Sequence, residues 1–161
     1  MNNEFYLSDA IGVIEEVLAS GGEFRLYPKG TSMLPLLVQG KDSVILRRDA
    51  EREIKKHDIL FYLRDDGHFV LHRAMKLKKD GTYTMCGDNQ TLLETGIRAD
   101  QIIGYVSAVY KEDRLLKLSS FKYRAYVAFW CFMPLRRALR FARACLGKIK
   151  RVLLRIFKKR G

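Results

Sequence analysis

The sequence predicts a mainly β fold: a twisted antiparallel sheet or partial barrel, opened by a short N-terminal helix and closed by a basic amphipathic helical tail. Three observations predict it. Between residues 24 and 110, short runs rich in β-branched and aromatic residues alternate with turn residues. Before them lies a single stretch of helical periodicity. After them apolar residues again fall at helical intervals, and from residue 114 onward no acidic side chain occurs.

The opening helix is expected over residues 9–20. Ser8 is placed to cap it, Ile11, Ile14, Val17 and Leu18 recur along one face, and Gly21-Gly22 can end it. Six strands are expected: Phe24–Tyr27, Ser43–Arg48, Ile59–Leu63, Phe69–Met75, Thr82–Cys86 and Ile102–Tyr110. Asp65-Asp66-Gly67 and Lys79-Asp80-Gly81 sit between such runs and carry the composition of hairpin turns. Close spacing of short strands favours antiparallel pairing. In the tail, Leu135, Ala138, Leu139, Ala142, Leu146, Ile149, Leu153 and Ile156 follow a three-to-four-residue spacing, with arginines and lysines between them. Pro134 removes a backbone donor and is expected to bend or break that tail into two pieces.

Charge divides the chain. Residues 1–113 carry 15 Lys/Arg and 18 Asp/Glu, a balance of −3, whereas residues 114–161 carry 15 Lys/Arg and no acid. The whole formal charge of +12 therefore comes from the last third. The expected organisation is an N-terminal helix (residues 1–23), a mildly acidic β domain (24–112) and a basic tail (113–161).

Several classes are disfavoured. Cys86, Cys131 and Cys145 are odd in number and lack metal-ligand spacing, so neither a disulfide framework nor a zinc site is expected, and no cofactor or metal. Met1-Asn2-Asn3-Glu4-Phe5 lacks the basic start of a cleaved leader. The longest apolar candidate, Ala125–Leu135, is shorter than a membrane span.

The segment Gly30-Thr31-Ser32-Met33-Leu34-Pro35 stands out. A serine hydroxyl needs a base within reach and donors for the oxyanion it creates. Gly30 permits close backbone approach, and Pro35 limits the turn that presents Ser32. Taken alone, such a segment is more often a plain turn. One of three histidines, His72, lies mid-strand in Phe-Val-Leu-His-Arg-Ala, where alternation puts Val70, His72 and Ala74 on one face, opposite Leu71 and Arg73. An imidazole can take the serine proton near neutral pH and return it to a leaving amine. One hairpin later, Cys86-Gly87-Asp88-Asn89 offers a carboxylate, Asp88, that could orient that ring in a serine–histidine–aspartate arrangement. Singly, His72 also fits a partly exposed sheet histidine, and Asp88 a turn cap.

In order along the chain, Tyr27-Pro-Lys-Gly-Thr-Ser-Met-Leu-Pro35, His57-Asp-Ile-Leu-Phe61, Val70-Leu-His-Arg73 and Gly87-Asp-Asn89 resemble the successive boxes of the signal-peptidase-I and repressor-autopeptidase superfamily. The resemblance covers roughly residues 24–110. It implies the β fold of those serine peptidases, with Ser32 as nucleophile, His72 as base and Asp88 as third member. Many bacterial members carry lysine where this chain has His72; histidine is similar to the branch found in endoplasmic-reticulum, archaeal and some Gram-positive signal peptidases. It further implies cleavage of a leader or precursor peptide after small residues. His57 stands where the family usually has glycine, and His68 is expected at a hairpin tip in solvent.

Signal peptidases typically precede the serine with a membrane-spanning helix, whereas the helix expected here carries Asp9, Glu15 and Glu16. The tail is then the membrane candidate. Its basic and apolar residues over 119–160, with Tyr123, Tyr126, Phe129, Trp130 and Phe132, suit peripheral binding to an anionic membrane surface, on the cytoplasmic side. Packing of the tail on the sheet is the plainer alternative. A nucleic-acid partner is less well matched to the aromatic–aliphatic stretch. Two rival readings are a repressor-type autopeptidase regulator and a non-catalytic membrane-associated adaptor. The first lacks room for a DNA-binding module in the 23 residues before the first strand; the second is disfavoured by Ser32, His72 and Asp88 occurring together.

Overall fold

The computed structural model describes residues 7–139 together with 141 and 142. It is mainly β, an antiparallel open sheet with short helices, in line with the coarse expectation. The chain runs α1 (Leu7–Ala19), β1 (Phe24–Leu26), β2 (Asp42–Arg47), β3 (Ile59–Leu63), β4 (Phe69–Leu77), β5 (Tyr83–Cys86), β6 (Glu94–Ile97), a 3-10 turn Ala99–Gln101, β7 (Ile102–Lys111), β8 (Arg114–Leu116) and α2 (Phe121–Trp130). The order across the sheet is β1-β2-β7-β3-β4-β5-β6, and β8 adds to β7.

Helix α1 forms because Ile14 and Leu18 recur at one-turn spacing and are fully buried against the sheet. It stops where expected: Gly21 adopts φ 80 and the Gly22 amide returns to the Val17 carbonyl. Its start differs by two residues, so Ser8 lies inside the helix. Both expected hairpin turns form. Gly67 and Gly81 take the positive φ those turns require (81 and 80), while Asp66 and Asp80 accept from the amides two residues on.

The six expected strands are present with small shifts of boundary, and two more, β6 and β8, escaped the sequence reading. β8 hairpins back on β7 through Glu112-Asp113. Residue 113, where the tail is expected to begin, lies in that hairpin turn.

Alternation along the strands sends two sets of side chains inward. One face carries Val44, Leu46, Phe61, Leu71, Val106 and Val109, which pack with α1 and with Met33, Leu36 and Leu37 of the segment after Ser32. The other carries Leu60, Tyr62, Ala74, Met85 and Ile97. The predicted alternation on β4 holds, with Leu71 in the first cluster and His72 beside Tyr62 on the second face.

Helix α2 is capped by Ser120, whose hydroxyl accepts from the Tyr123 amide. It ends at Cys131, and helix resumes at residue 133 with Pro134 in its first turn, where a missing N–H costs nothing. The break expected at Pro134 occurs just before it. Tyr123, Tyr126 and Trp130 turn toward the sheet, whereas Phe121, Phe129 and Phe132 are exposed. The aromatic residues of this stretch therefore divide into a sheet-facing set and an exposed set. The periodic positions Leu146, Ile149, Leu153 and Ile156, with Cys145, lie outside the described residues.

Candidate active site

Ser32 lies in a run of turns between β1 and β2. The turn is held from both ends: the Leu34 amide donates to the Thr31 carbonyl at 3.2 Å, and the Leu37 amide to that of Met33 at 2.9 Å. Met33 and Leu37 are buried in the core below, the Leu34–Pro35 peptide is cis, and Ser32 itself is left half-buried at the surface. Buried apolar side chains just after Ser32 thus pin the loop while Ser32 stays at the surface.

His72 comes from the middle of β4, where it pairs with Leu60. It is 3 % exposed. Gly87 joins the two. A methyl group built on its α-carbon would stand 2.6 Å from the Ser32 carbonyl oxygen and 3.0 Å from Nε2 of His72, so both flank the same point. Only glycine fits there. The Asn89 amide donates to the Ser32 carbonyl at 2.7 Å and its side-chain amide to the Thr31 carbonyl at 3.1 Å. Ser32 and His72 line one pocket of about 220 Å³, with Met33, Leu37, Phe69 and Leu71 among its walls. A wider cleft of about 990 Å³ shares Ser32 and Arg64 with it and is lined further by Asn89 and Glu94.

The other edge of the imidazole meets a polar chain that the sequence reading missed. The Tyr62 hydroxyl is 3.3 Å from Nδ1 of His72 and donates to Glu94 at 2.7 Å. Arg64 holds both oxygens of Glu94 at 2.7 Å. A phenol has one proton, and here Glu94 takes it, so the phenol oxygen can only accept from His72. The proton of the neutral ring then sits on Nδ1, and the lone pair on Nε2 lies on the Gly87 side of the ring. Glu94 is 3.9 Å from Nδ1, close enough to favour a charged ring.

Asp88 does not occupy the place expected for it. Its carboxylate is fully buried in a two-pronged pair with Arg73, at 2.8 and 2.7 Å, and also accepts from Tyr126 at 2.8 Å. Arg73 projects from β4 opposite to His72, as alternation dictates, and Asp88 follows it. Glu94, the only acid between Asp88 and Asp100, supplies the carboxylate beside the histidine.

Electrostatics follow from these positions. Burial, joined by the Arg64 charge, lowers the His72 pKa to about 4, against the opposing pull of Glu94 and Asp88. The ring is therefore neutral at pH 7 and able to accept a proton. Burial works to raise the Glu94 pKa, but the bonds from Arg64 and Tyr62 outweigh it and the net shift is downward. Burial and the Glu94 charge push the Tyr62 phenol far above its ordinary range, so it stays protonated.

Of the remaining histidines, His68 sits exposed at the β3–β4 tip, as expected. His57 adopts φ 75, a conformation that glycine reaches at less cost, and its carbonyl accepts from Arg73. No group of three metal-ligating side chains occurs among the described residues. Comparison with protein-family models, with curated proteins and with solved structures gave no match to this chain.

Proposed function

We propose that the chain is a serine endopeptidase of the signal-peptidase type, with the fold of that superfamily, and that it cleaves a leader or precursor peptide after small residues. The observation that carries this reading is the convergence of Ser32 and the Nε2 edge of His72 on Gly87. Ser32 attacks the peptide carbonyl while Nε2 takes its proton. Backbone N–H groups of the Ser32 turn stabilise the oxyanion, and the imidazolium passes the proton to the leaving amine. Water then cleaves the acyl-enzyme by the same route in reverse. In this scheme Glu94, through Tyr62, replaces Asp88 as the group that orients the ring. The pocket of about 220 Å³ beside Ser32, lined by Met33, Leu37 and Phe69 together with Lys29, Gln39 and Gln90, has room for a small side chain.

The outer face of the tail supports peripheral binding to an anionic membrane. Phe121, Phe129 and Phe132 are exposed there, beside exposed Lys122, Arg124 and Arg137. No helix among the described residues is long and apolar enough to cross a membrane.

The test is cleavage of an alanine-rich leader peptide followed by mass spectrometry. Ser32→Ala and His72→Ala are each expected to abolish it with the fold retained. Unchanged turnover in either variant removes that residue from the mechanism. Flotation on vesicles containing phosphatidylserine, with and without alanine at the three exposed phenylalanines, tests the membrane face.

A further inference from the structure

The turn that joins β5 to β6 has an inner and an outer side. On its inner side Gly87 packs against Nε2 of His72, and Asn89 holds the Thr31 and Ser32 carbonyls. Its outer side is gripped by the C-terminal segment. Trp130 Nε1 donates to the Asp88 carbonyl at 2.7 Å. Arg136 Nη1 donates to the carbonyls of Gly87 and Gln90 at 2.9 and 3.0 Å and reaches Cys86 Sγ at 3.5 Å. Tyr126 donates to the Asp88 carboxylate.

We propose that α2 and the start of the helix that follows it form a clamp on residues 86–90, and that Arg136, Trp130 and Tyr126 are positioning residues for the Ser32–His72 centre. The physical reason is accounting of backbone groups. Residues 87–93 lie between two strands and belong to neither. Carbonyls buried outside a ladder must find donors elsewhere or cost free energy. Three carbonyls of this turn find them on side chains 42 to 49 positions downstream. Arg136 is 3 % exposed and its Nε is fixed by the Trp130 carbonyl, so its fork is held in place before it reaches the turn. Trp130 is held likewise, stacked on Tyr126 with ring centroids 6.0 Å apart and 14° between planes. A tail that served only as an anchor would not need to satisfy the turn that carries Gly87 and Asn89.

This inference rests on the proposed peptidase activity for its catalytic consequence, but its structural content is readable without turnover. The experiment uses the full chain. Trp130→Phe keeps the stacked ring and removes one donor, so it leaves the fold in place; Arg136→Ala and Arg136→Lys complete the set. Two readouts are needed: the His72 imidazole nitrogen resonances, and hydrogen exchange at the Asn89 amide. Expected in Trp130→Phe and Arg136→Ala are a displaced Nε2 resonance and Asn89 exchange faster by tenfold or more, with amides of β2 and β7 unchanged. Arg136→Lys, which keeps the charge but not the fork, should restore only part of the difference. With the leader peptide, kcat should fall at least tenfold and KM stay within twofold. Wild-type imidazole resonances and wild-type Asn89 exchange in both variants would overturn the clamp, whether or not the chain is a peptidase. Displaced resonances in a chain whose turnover survives Ser32→Ala would retain the clamp and reject the peptidase reading.

Discussion

Glu94 places a carboxylate oxygen 3.9 Å from Nδ1 of His72, and the Tyr62 hydroxyl lies against both, 3.3 Å from Nδ1 and 2.7 Å from the carboxylate. The phenol fixes the tautomer, and the carboxylate supplies the charge that a protonated ring needs. Glu94→Gln removes the charge and leaves Arg64 without its counter-ion next to the imidazole. The expected result is a fall in kcat on the order of 100-fold, with a melting temperature close to the parent's. Tyr62→Phe, which loses the acceptor for Nδ1–H and the donor to Glu94 but keeps the Glu94 charge, should cost roughly 10-fold. Steady-state kinetics on the leader peptide read both.

Asp88 is expected to behave in the opposite way. Its pair with Arg73 is fully buried on both sides. Breaking such a pair by removing one partner leaves a charge without compensation and costs about 3–5 kcal/mol. Asp88→Ala should therefore lower the urea midpoint sharply, while the surviving folded fraction keeps an acid limb set by His72. Equal stability in Asp88→Ala and the parent would refute the structural role.

The pH dependence follows from burial of His72. With a folded-state pKa of about 4 against an ordinary value of 6.5, the ring stays neutral down to low pH. The acid limb of kcat/KM is expected near pH 4, well below that of an exposed histidine. Stability carries the same signature. Between the two pKa values the unfolded chain binds the proton and the folded one does not, so stability rises with pH across that window and is lost as pH falls through it. At about 1.4 kcal/mol per pH unit the full span is roughly 3 kcal/mol. Urea unfolding of the parent and of His72→Phe between pH 4 and 7 checks it, since the variant should lack this component.

Much of this arrangement was legible in the sequence, and what was missed shares a physical cause. Val70, His72 and Ala74 were placed on one face because a strand has a fixed period of two. Ser32 was singled out because glycine and proline flank it. Glu94 was overlooked because β6 is short and half-exposed, and Glu-Thr-Gly-Ile lacks the run of β-branched residues that marks a strand. Asp88 was assigned to His72 because sequence spacing reports proximity but not which of two adjacent side chains, His72 or Arg73, a carboxylate will meet. The split faces of α2 were hidden for a similar reason. Tyr123, Tyr126 and Trp130 share the spacing of a helical stripe, yet only the buried Arg73–Asp88 pair shows which way that stripe must turn.

Gly87 gives the sharpest local test, because its demand is steric. A β-carbon there would meet the Ser32 carbonyl oxygen at 2.6 Å and Nε2 of His72 at 3.0 Å. The first contact is with backbone and cannot be relieved by rotating a side chain, so one of the two groups must move. Gly87→Ala is expected to separate the hydroxyl-bearing loop from the imidazole and lower kcat/KM by on the order of 100-fold or more, since displacement of about 1 Å at a reacting pair has effects of that size. Gly12→Ala is the matched control: it lies inside α1 with nothing within 4 Å of the added carbon, and should stabilise the helix by about 1 kcal/mol without altering turnover. If both alanine variants turn over the leader peptide at the parental rate, Gly87 is not the hinge point between Ser32 and His72.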